Sequence, residues 1–177
     1  MTNTHLVISA VGPDKPGLVN DLSEAILECG CNVEDSRMAV LGGEFAIILL
    51  IAGSWNTVAK LESMAPGLQE RLGMNITAKR TEFRQPSSNL LPYAADVVAI
   101  DHPGIVYNLA HFFSSKNINI EELSTASYRA AHTGTPMFSV HMEIGVPADI
   151  HIADLREAFM DFCDELNLDG VLEPVKG

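Results

Sequence analysis

The chain has 177 residues, 47% of them hydrophobic, with 23 acidic and 11 basic side chains and a formal net charge of −12. That hydrophobic share excludes a disordered chain. The charge argues against direct binding to nucleic acid or an anionic membrane, since such affinity rests on Lys and Arg neutralising phosphates.

The opening Met1-Thr2-Asn3-Thr4-His5 lacks the basic start of a signal peptide. Leu6 to Val11 is apolar and β-prone, and Gly12-Pro13 ends it, which predicts a first strand. Pro16-Gly17 then opens a helix. Leu18, Leu22, Ala25 or Ile26, and Cys29 share one of its faces, and Gly30 stops it. Asn32 to Leu41 reads as a second strand, followed by a two-residue hairpin turn at Gly42-Gly43. Phe45 to Ile51 is a third strand, apolar on both faces and therefore central. It is also the longest apolar stretch, with Ala52, and is far too short to span a membrane as a helix.

Trp55 to Met64 is a second helix with Ser54 as its N-cap. Pro66-Gly67 is expected to break or kink it, with a short helical turn continuing to Leu72 and ended by Gly73. Met74 to Arg80 supplies a fourth strand. Residues 81–91, with Gln85-Pro86-Ser87-Ser88-Asn89 inside them, form a polar linker. The pattern then restarts: a strand from Tyr93 to Ile100, a helix from Gly104 to Lys116, and strands from Asn119 to Tyr128 and Phe138 to Ile144. A helix from Ile152 to Leu166 and a strand within Leu168 to Val175 complete it. The predicted fold class is α+β: two ferredoxin-like βαββαβ units, residues 1–80 and 92–177, each an antiparallel four-stranded sheet with both helices on one face. Exposed edges and uncovered faces favour pairing of the units and a homodimer.

The order repeats because the sequence repeats. Asp14-Lys15-Pro16-Gly17 returns as Asp101-His102-Pro103-Gly104, an offset of 87 residues. At that offset Leu18 meets Ile105, Asn32 meets Asn119 and Glu34 meets Glu121. Phe45 and Phe138 lie 93 residues apart, so six extra residues fall in the second hairpin, at Ala130 to Pro136.

The Asp-x-Pro-Gly turn between strand and helix of a βαββαβ unit resembles the ACT domain, a regulatory module that binds amino acids. The first half also carries Cys29-Gly30-Cys31-Asn32-Val33-Glu34-Asp35-Ser36-Arg37, Leu41-Gly42, Glu44-Phe45 and Gly53-Ser54-Trp55-Asn56. Those segments resemble the tandem-ACT family of bacterial glycine cleavage system transcriptional repressors. The resemblance implies a cytoplasmic, non-enzymatic protein that senses a small amino acid, glycine foremost. It also implies repression of the glycine cleavage operon through a DNA-binding transcriptional activator rather than through DNA. The alternative is a detached ACT subunit that controls an amino-acid pathway enzyme in trans. No cofactor is expected.

Elementary chemistry points to the same turn. A helix N-terminus offers unpaired N–H groups and partial positive charge. With Pro16 as the first helical residue, Lys15 would be the N-cap and would offer no acceptor. The amides of Gly17 and Leu18 then lie open to a carboxylate, as do those at Gly104 and Ile105 behind His102. For the ammonium group the candidates are Asp14, Asn32 and Asp35 in the first unit, and Asp101, Asn119 and Glu122 in the second. Two plainer roles stand beside these. Asp14 and Asp101 could cap their own helices, and Asn32 and Asn119 could be turn residues.

Other signals carry less. Cys29-x-Cys31 lacks the spacing of a redox or zinc site, and with Cys163 the three thiols cannot all pair, which suits a reducing compartment. His132, His141 and His151 fall on different elements without an acidic companion at ligand spacing, so no metal site is expected. Lys79-Arg80 and Arg84 read as a solvated hinge.

Overall fold

A computed structural model describes residues 3–177. The chain divides into two compact units, one ending at Gln85 and the other beginning at Pro86. The first unit contains β1 (Thr4–Pro13), α1 (Leu18–Glu28), β2 (Asn32–Leu41), β3 (Glu44–Gly53), α2 (Trp55–Leu72) and β4 (Asn75–Thr81). Its sheet has the order β2-β3-β1-β4, with every neighbouring pair antiparallel. The second unit repeats this with β5 (Leu90–Ile100), α3 (Ile105–Ser114), β6 (Asn119–Arg129), β7 (Pro136–Pro147), α4 (Ile152–Glu165) and β8 (Asp169–Pro174), in the order β6-β7-β5-β8.

Period-two alternation decides what each sheet buries. Leu6, Ile8 and Ala10 of β1 and Phe45, Ile47, Leu49 and Ile51 of β3 point to one side. There they meet Leu18, Leu22 and Ile26 of α1 and Val58, Leu61 and Leu68 of α2 in a single core. Among the described residues of this unit no helix lies on the opposite face, where Phe83 rests against His5. In the second unit Ala95, Val97 and Ala99 of β5 and Val140, Met142, Ile144 and Val146 of β7 take the inward positions. Rings fill the helix layer above them. Phe159 of α4 stacks on Phe113 of α3 at 5.8 Å between centroids and meets Phe112 edge-on at 5.7 Å. Gly170 of β8 makes room for this packing, since a Cβ there would lie 2.6 Å from Cys163 Sγ and 3.1 Å from the Phe159 ring.

Both second strands carry a register shift, between Val33 and Asp35 and between Ile120 and Glu122. The extra residue turns Asp35 and Glu122 onto the uncovered faces. The Leu41–Glu44 hairpin closes through Gly42 at φ 62, as a two-residue turn requires.

Two elements run further than the sequence reading. β5 starts at Leu90, inside the expected linker. α2 is one helix through Pro66 to Leu72, where a break or kink and a separate short turn were expected. On the far side of the proline Leu68 and Leu72 are buried in the same core as the sheet residues. Their burial offsets the hydrogen bond that Pro66 cannot donate. Gly73 at φ 66 then ends the helix, its amide donating to the Gln69 carbonyl at 3.0 Å.

Phe159 is fully buried, whereas Leu27 on α1 is 74% exposed. Phe159→Ala is expected to cost about 3–5 kcal/mol, and Leu27→Ala no more than about 0.5 kcal/mol. Urea denaturation of the two variants against the parent protein checks this.

Candidate functional site

The duplicated turn has the same construction in both units. The Asp14 amide donates to the Gly43 carbonyl at 3.0 Å, and the Asp101 amide donates to the Pro136 carbonyl at 2.9 Å. Each loop is thereby tied to the hairpin beside it. The chain then enters the helix through a left-handed glycine, Gly17 at φ 93 and ψ −4, or Gly104 at φ 95 and ψ −1. These are the angles of the third residue of a type II turn, with proline before it. The first helical bonds run from the Asp21 amide to the Gly17 carbonyl and from the Asn108 amide to the Gly104 carbonyl, both 2.9 Å.

Gly17 and Gly104 are therefore the N-caps. This corrects the sequence reading, which put Pro16 in the first helical position and Lys15 or His102 at the cap. Proline and glycine close a turn here, because glycine at positive φ reverses the chain before the helix begins. A glycine cap offers no side-chain acceptor, so the first amides of α1 and α3 are left without one. Asp14 and Asp101 do not supply it either. Both are exposed, and among the described residues neither carboxylate bonds to its helix. His102 bonds locally, its Nδ1 lying 3.1 Å from the Pro103 carbonyl oxygen.

The turn and the start of the second strand stand apart within each unit. β1 and β2 run in the same direction on either side of β3. Pro13 lies opposite Glu44, whereas Asn32 lies opposite Ala52, which also faces His5. Eight residues of strand separate His5 from Pro13, about 26 Å. Asp35 shares the row of Val7, about 20 Å from that end. Asn119 lies opposite Gly145, at the Pro92 end of its sheet, and donates to Glu121 Oε1 at 3.0 Å. Asn32, Asp35 and Asn119 thus cannot touch a small ligand seated at the turn of their own unit. Asp14, Lys15, Pro16, Gly17 and Leu18 do cluster, as do Asp101, His102, Gly104 and Ile105.

At the far end, Asp35 is held by Arg37 and by the Ser36 amide, and these bonds keep its carboxyl below the usual range. His5 Nε2 lies 3.2 Å from Glu34 Oε2 and its ring 5.4 Å from that of Phe83. Arg80 is engaged as well: Nη2 donates to Glu62 Oε2 at 2.8 Å, and its guanidinium sits 5.1 Å from the centre of the Trp55 ring. Burial pushes the Cys163 thiol up to about 11, which leaves it an inert core group.

The sequence reading set His141 aside as an isolated polar position without an acidic companion, and the fold supplies one. His141 sits on the uncovered face of the second sheet, directly opposite Asp96, with Nδ1 2.6 Å from Asp96 Oδ1 and Nε2 3.8 Å from Glu143 Oε1. The hydrogen bond to Asp96, reinforced by the charges of Asp96, Glu143 and Glu122, raises its pKa above 6.5. Strand register was the missing signal, because the companion is 45 residues away in sequence. Among the described residues, no three His, Cys, Asp or Glu side chains converge as a metal site. No described helix is long and apolar enough to cross a membrane.

Comparison with known proteins places these features in a family. Residues 4–79 match the ACT domain family model. The chain is 34% identical over 171 residues to the glycine cleavage system transcriptional repressor of Escherichia coli (strain K12), covering 97% of this chain and 90% of that protein. The Shigella flexneri repressor gives the same figures. A crystal structure of a candidate glycine cleavage system transcriptional repressor superposes with a TM-score of 0.74 at 28% identity, covering 100% of both chains. A protein of unknown role from Galdieria sulphuraria superposes at 0.84 with 30% identity, over 99% of this chain and 100% of that one.

Two measurements follow from the geometry. A Cβ on Gly17 meets nothing within 4 Å, so its substitution costs backbone strain alone. Gly17→Val is expected to lose more than about 1 kcal/mol, and Gly17→Asn less, because asparagine tolerates the left-handed region; thermal melts of both variants decide it. The folded-state pKa of His141 lies above its unfolded value. Its stabilising effect is therefore complete below about pH 6.5 and fades as pH rises through the folded pKa. Solvent screening keeps it under about 1 kcal/mol, since both side chains are well exposed. The melting-temperature gap between parent and His141→Gln should shrink from pH 5 to pH 9.

Proposed function

Because the chain belongs to the tandem ACT-domain family of the glycine cleavage system transcriptional repressor and has that family's regulatory role, we propose that it is a cytoplasmic amino-acid sensor. It represses the glycine cleavage operon by binding a DNA-binding transcriptional activator, and it contacts neither DNA nor membrane itself. The ligand is a small amino acid, glycine foremost. The protein is not an enzyme.

The observation that supports sensing is the pair of uncapped helix mouths, each entered through a left-handed glycine. The free amides and the helix dipole there suit a carboxylate. Asp14 and Asp101, exposed and not spent on capping, suit the ammonium group beside it. Glycine fits a turn of this kind because it brings both charges and no side chain to accommodate. The net charge of −12 supports a protein partner over DNA. The basic pair near the linker adds to that, since Arg80 is already bound to Glu62 and stacked on Trp55.

Regulation then needs one property. The ligand must bind the partner-competent and partner-incompetent states with different affinity, and the partner must change the affinity for ligand by the same factor.

Calorimetry with glycine, alanine and serine tests the sensing half. Glycine is expected to bind, and Asp14→Asn combined with Asp101→Asn to weaken it at least tenfold while the melting temperature holds. No heat up to about millimolar glycine, together with a partner complex that survives glycine, would defeat sensing. Co-purification from cell extract tests the other half: a metabolic enzyme in place of a helix-turn-helix activator overturns the proposed partner.

A further inference from the structure

The uncovered faces of the two sheets have diverged in a way that distinguishes them. In the first unit β3 is apolar on both sides, and Ala46, Ile48 and Leu50 point away from the helices. Ile48 is 48% exposed and Val11, on the same face, 46%. In the second unit the matching β7 positions hold Ser139, His141 and Glu143. Strand register makes the contrast sharper. One cross-strand row of the first face reads Asp35, Leu50, Val7, Lys79 from β2 to β4. The corresponding row of the second face reads Glu122, Glu143, Ala94, Glu173.

The first row is self-complementary. A two-fold axis parallel to the strands lays β2 of one sheet over β4 of its copy and keeps every row at its own level. Asp35 then meets Lys79 of the second copy, Leu50 meets Val7, and the same contacts recur in reverse order. The next row, Arg37, Ile48, Ser9, Thr77, contains no like-charge clash under this operation. The second unit's row repels itself, because the same operation brings Glu122 onto Glu173 and Glu143 onto Ala94 beneath another carboxylate pair.

We propose that a second copy of this chain covers the open face of the first sheet, forming a two-sheet sandwich about such an axis. Ile48, Leu50, Val7 and Val11 form its centre around Ser9, whose hydroxyl is already bonded to that of Thr77, and the Asp35–Lys79 pairs flank it on either side. Aligned sheets stack about 10 Å apart with interdigitated side chains. A hollow of about 580 Å³ on this face lies between Val7, Ile48 and Leu50 and the chain's own segment 81–84, so the copy seats beside that segment. The carboxylates of the second face keep that face from self-stacking and direct association to the first.

Sedimentation equilibrium of the full chain tests the proposal, with circular dichroism confirming that each variant is folded. The parent protein is expected to dimerise. Lys79→Glu and Asp35→Lys should each weaken the dimer about tenfold or more, because each change acts twice in a symmetric interface. Combining the two reverses both ends of the row and should restore association, while Leu50→Glu should abolish it and Glu143→Gln leave it unchanged. A monomer at about 100 µM overturns the proposal. So does a dimer indifferent to the single charge changes, or a double variant no stronger than the singles.

Discussion

A four-stranded sheet covered by helices on one face obliges each strand to alternate: apolar residues inward, residues that tolerate water outward. The molecule is built on that constraint twice, and its informative features are the places where the two copies handle it differently. β7 obeys the rule, with Met142 and Ile144 inward and His141 and Glu143 outward. β3 breaks it, with Ile48 and Leu50 outward as well as Leu49 and Ile51 inward. An outward apolar residue on a central strand costs solubility unless something covers it. The same departure that marks β3 in the sequence therefore marks a surface on the fold.

The helix mouths are governed by a different limit. An α-helix leaves its first amides unpaired, and most proteins satisfy them with Ser, Thr, Asp or Asn at the cap. α2 does this, through the Ser54 hydroxyl accepting from the Thr57 amide at 3.2 Å. α1 and α3 put glycine there instead, in a backbone conformation that excludes ordinary side chains. The chain thus forgoes only roughly a few tenths of a kcal/mol of capping energy at each mouth. Glycine gives the tight turn after proline and leaves the amides accessible. The two needs coincide at one residue, and so the motif recurs in both units while the surfaces around it have drifted.

Most of this architecture was legible in the sequence, because it depends on local pattern. Strand periodicity located all eight strands, and β2 was bounded to the residue, Asn32–Leu41. The repeat offset supplied the second unit from the first. What was not legible depends on partners distant in sequence or on competition between local and tertiary terms. Pro66 argues against a helix locally, and only the burial of Leu68 and Leu72 beyond it overrules that. The cap was misplaced by two residues because proline suits both a first helical turn and a type II turn, and the glycine after it decides between them. The separation of Asn32 from the turn is a matter of topology. In a βαββαβ unit the first and second strands point the same way, so the end of one and the start of the other lie at opposite ends of the sheet along the strand direction. His141 and Asp96 meet only once the register of β5 on β7 is known.

That same topology divides the first unit into two regions that need not compete. The turn at Asp14 to Leu18 lies at one end, and the row of Asp35, Leu50, Val7 and Lys79 crosses the open face about 20 Å from it. A ligand at the turn and a second copy on the face could therefore be bound together, without either blocking the other directly. Any influence of one on the other must pass through the unit itself. β1 is the shortest physical route, since it runs from Val7, at the centre of the open face, to Pro13, which leads into the turn. It is also a central strand of the unit, paired with β3 from Thr4 to Pro13 and with β4 from His5 to Val11, with Leu6, Ile8 and Ala10 packed beneath the helices. A rigid strand transmits displacement poorly by bending and well by shifting as a body. Coupling between the two regions would accordingly take the form of a small movement of the β1–turn segment against α1. The left-handed glycine at their junction is the residue with the conformational freedom to absorb it.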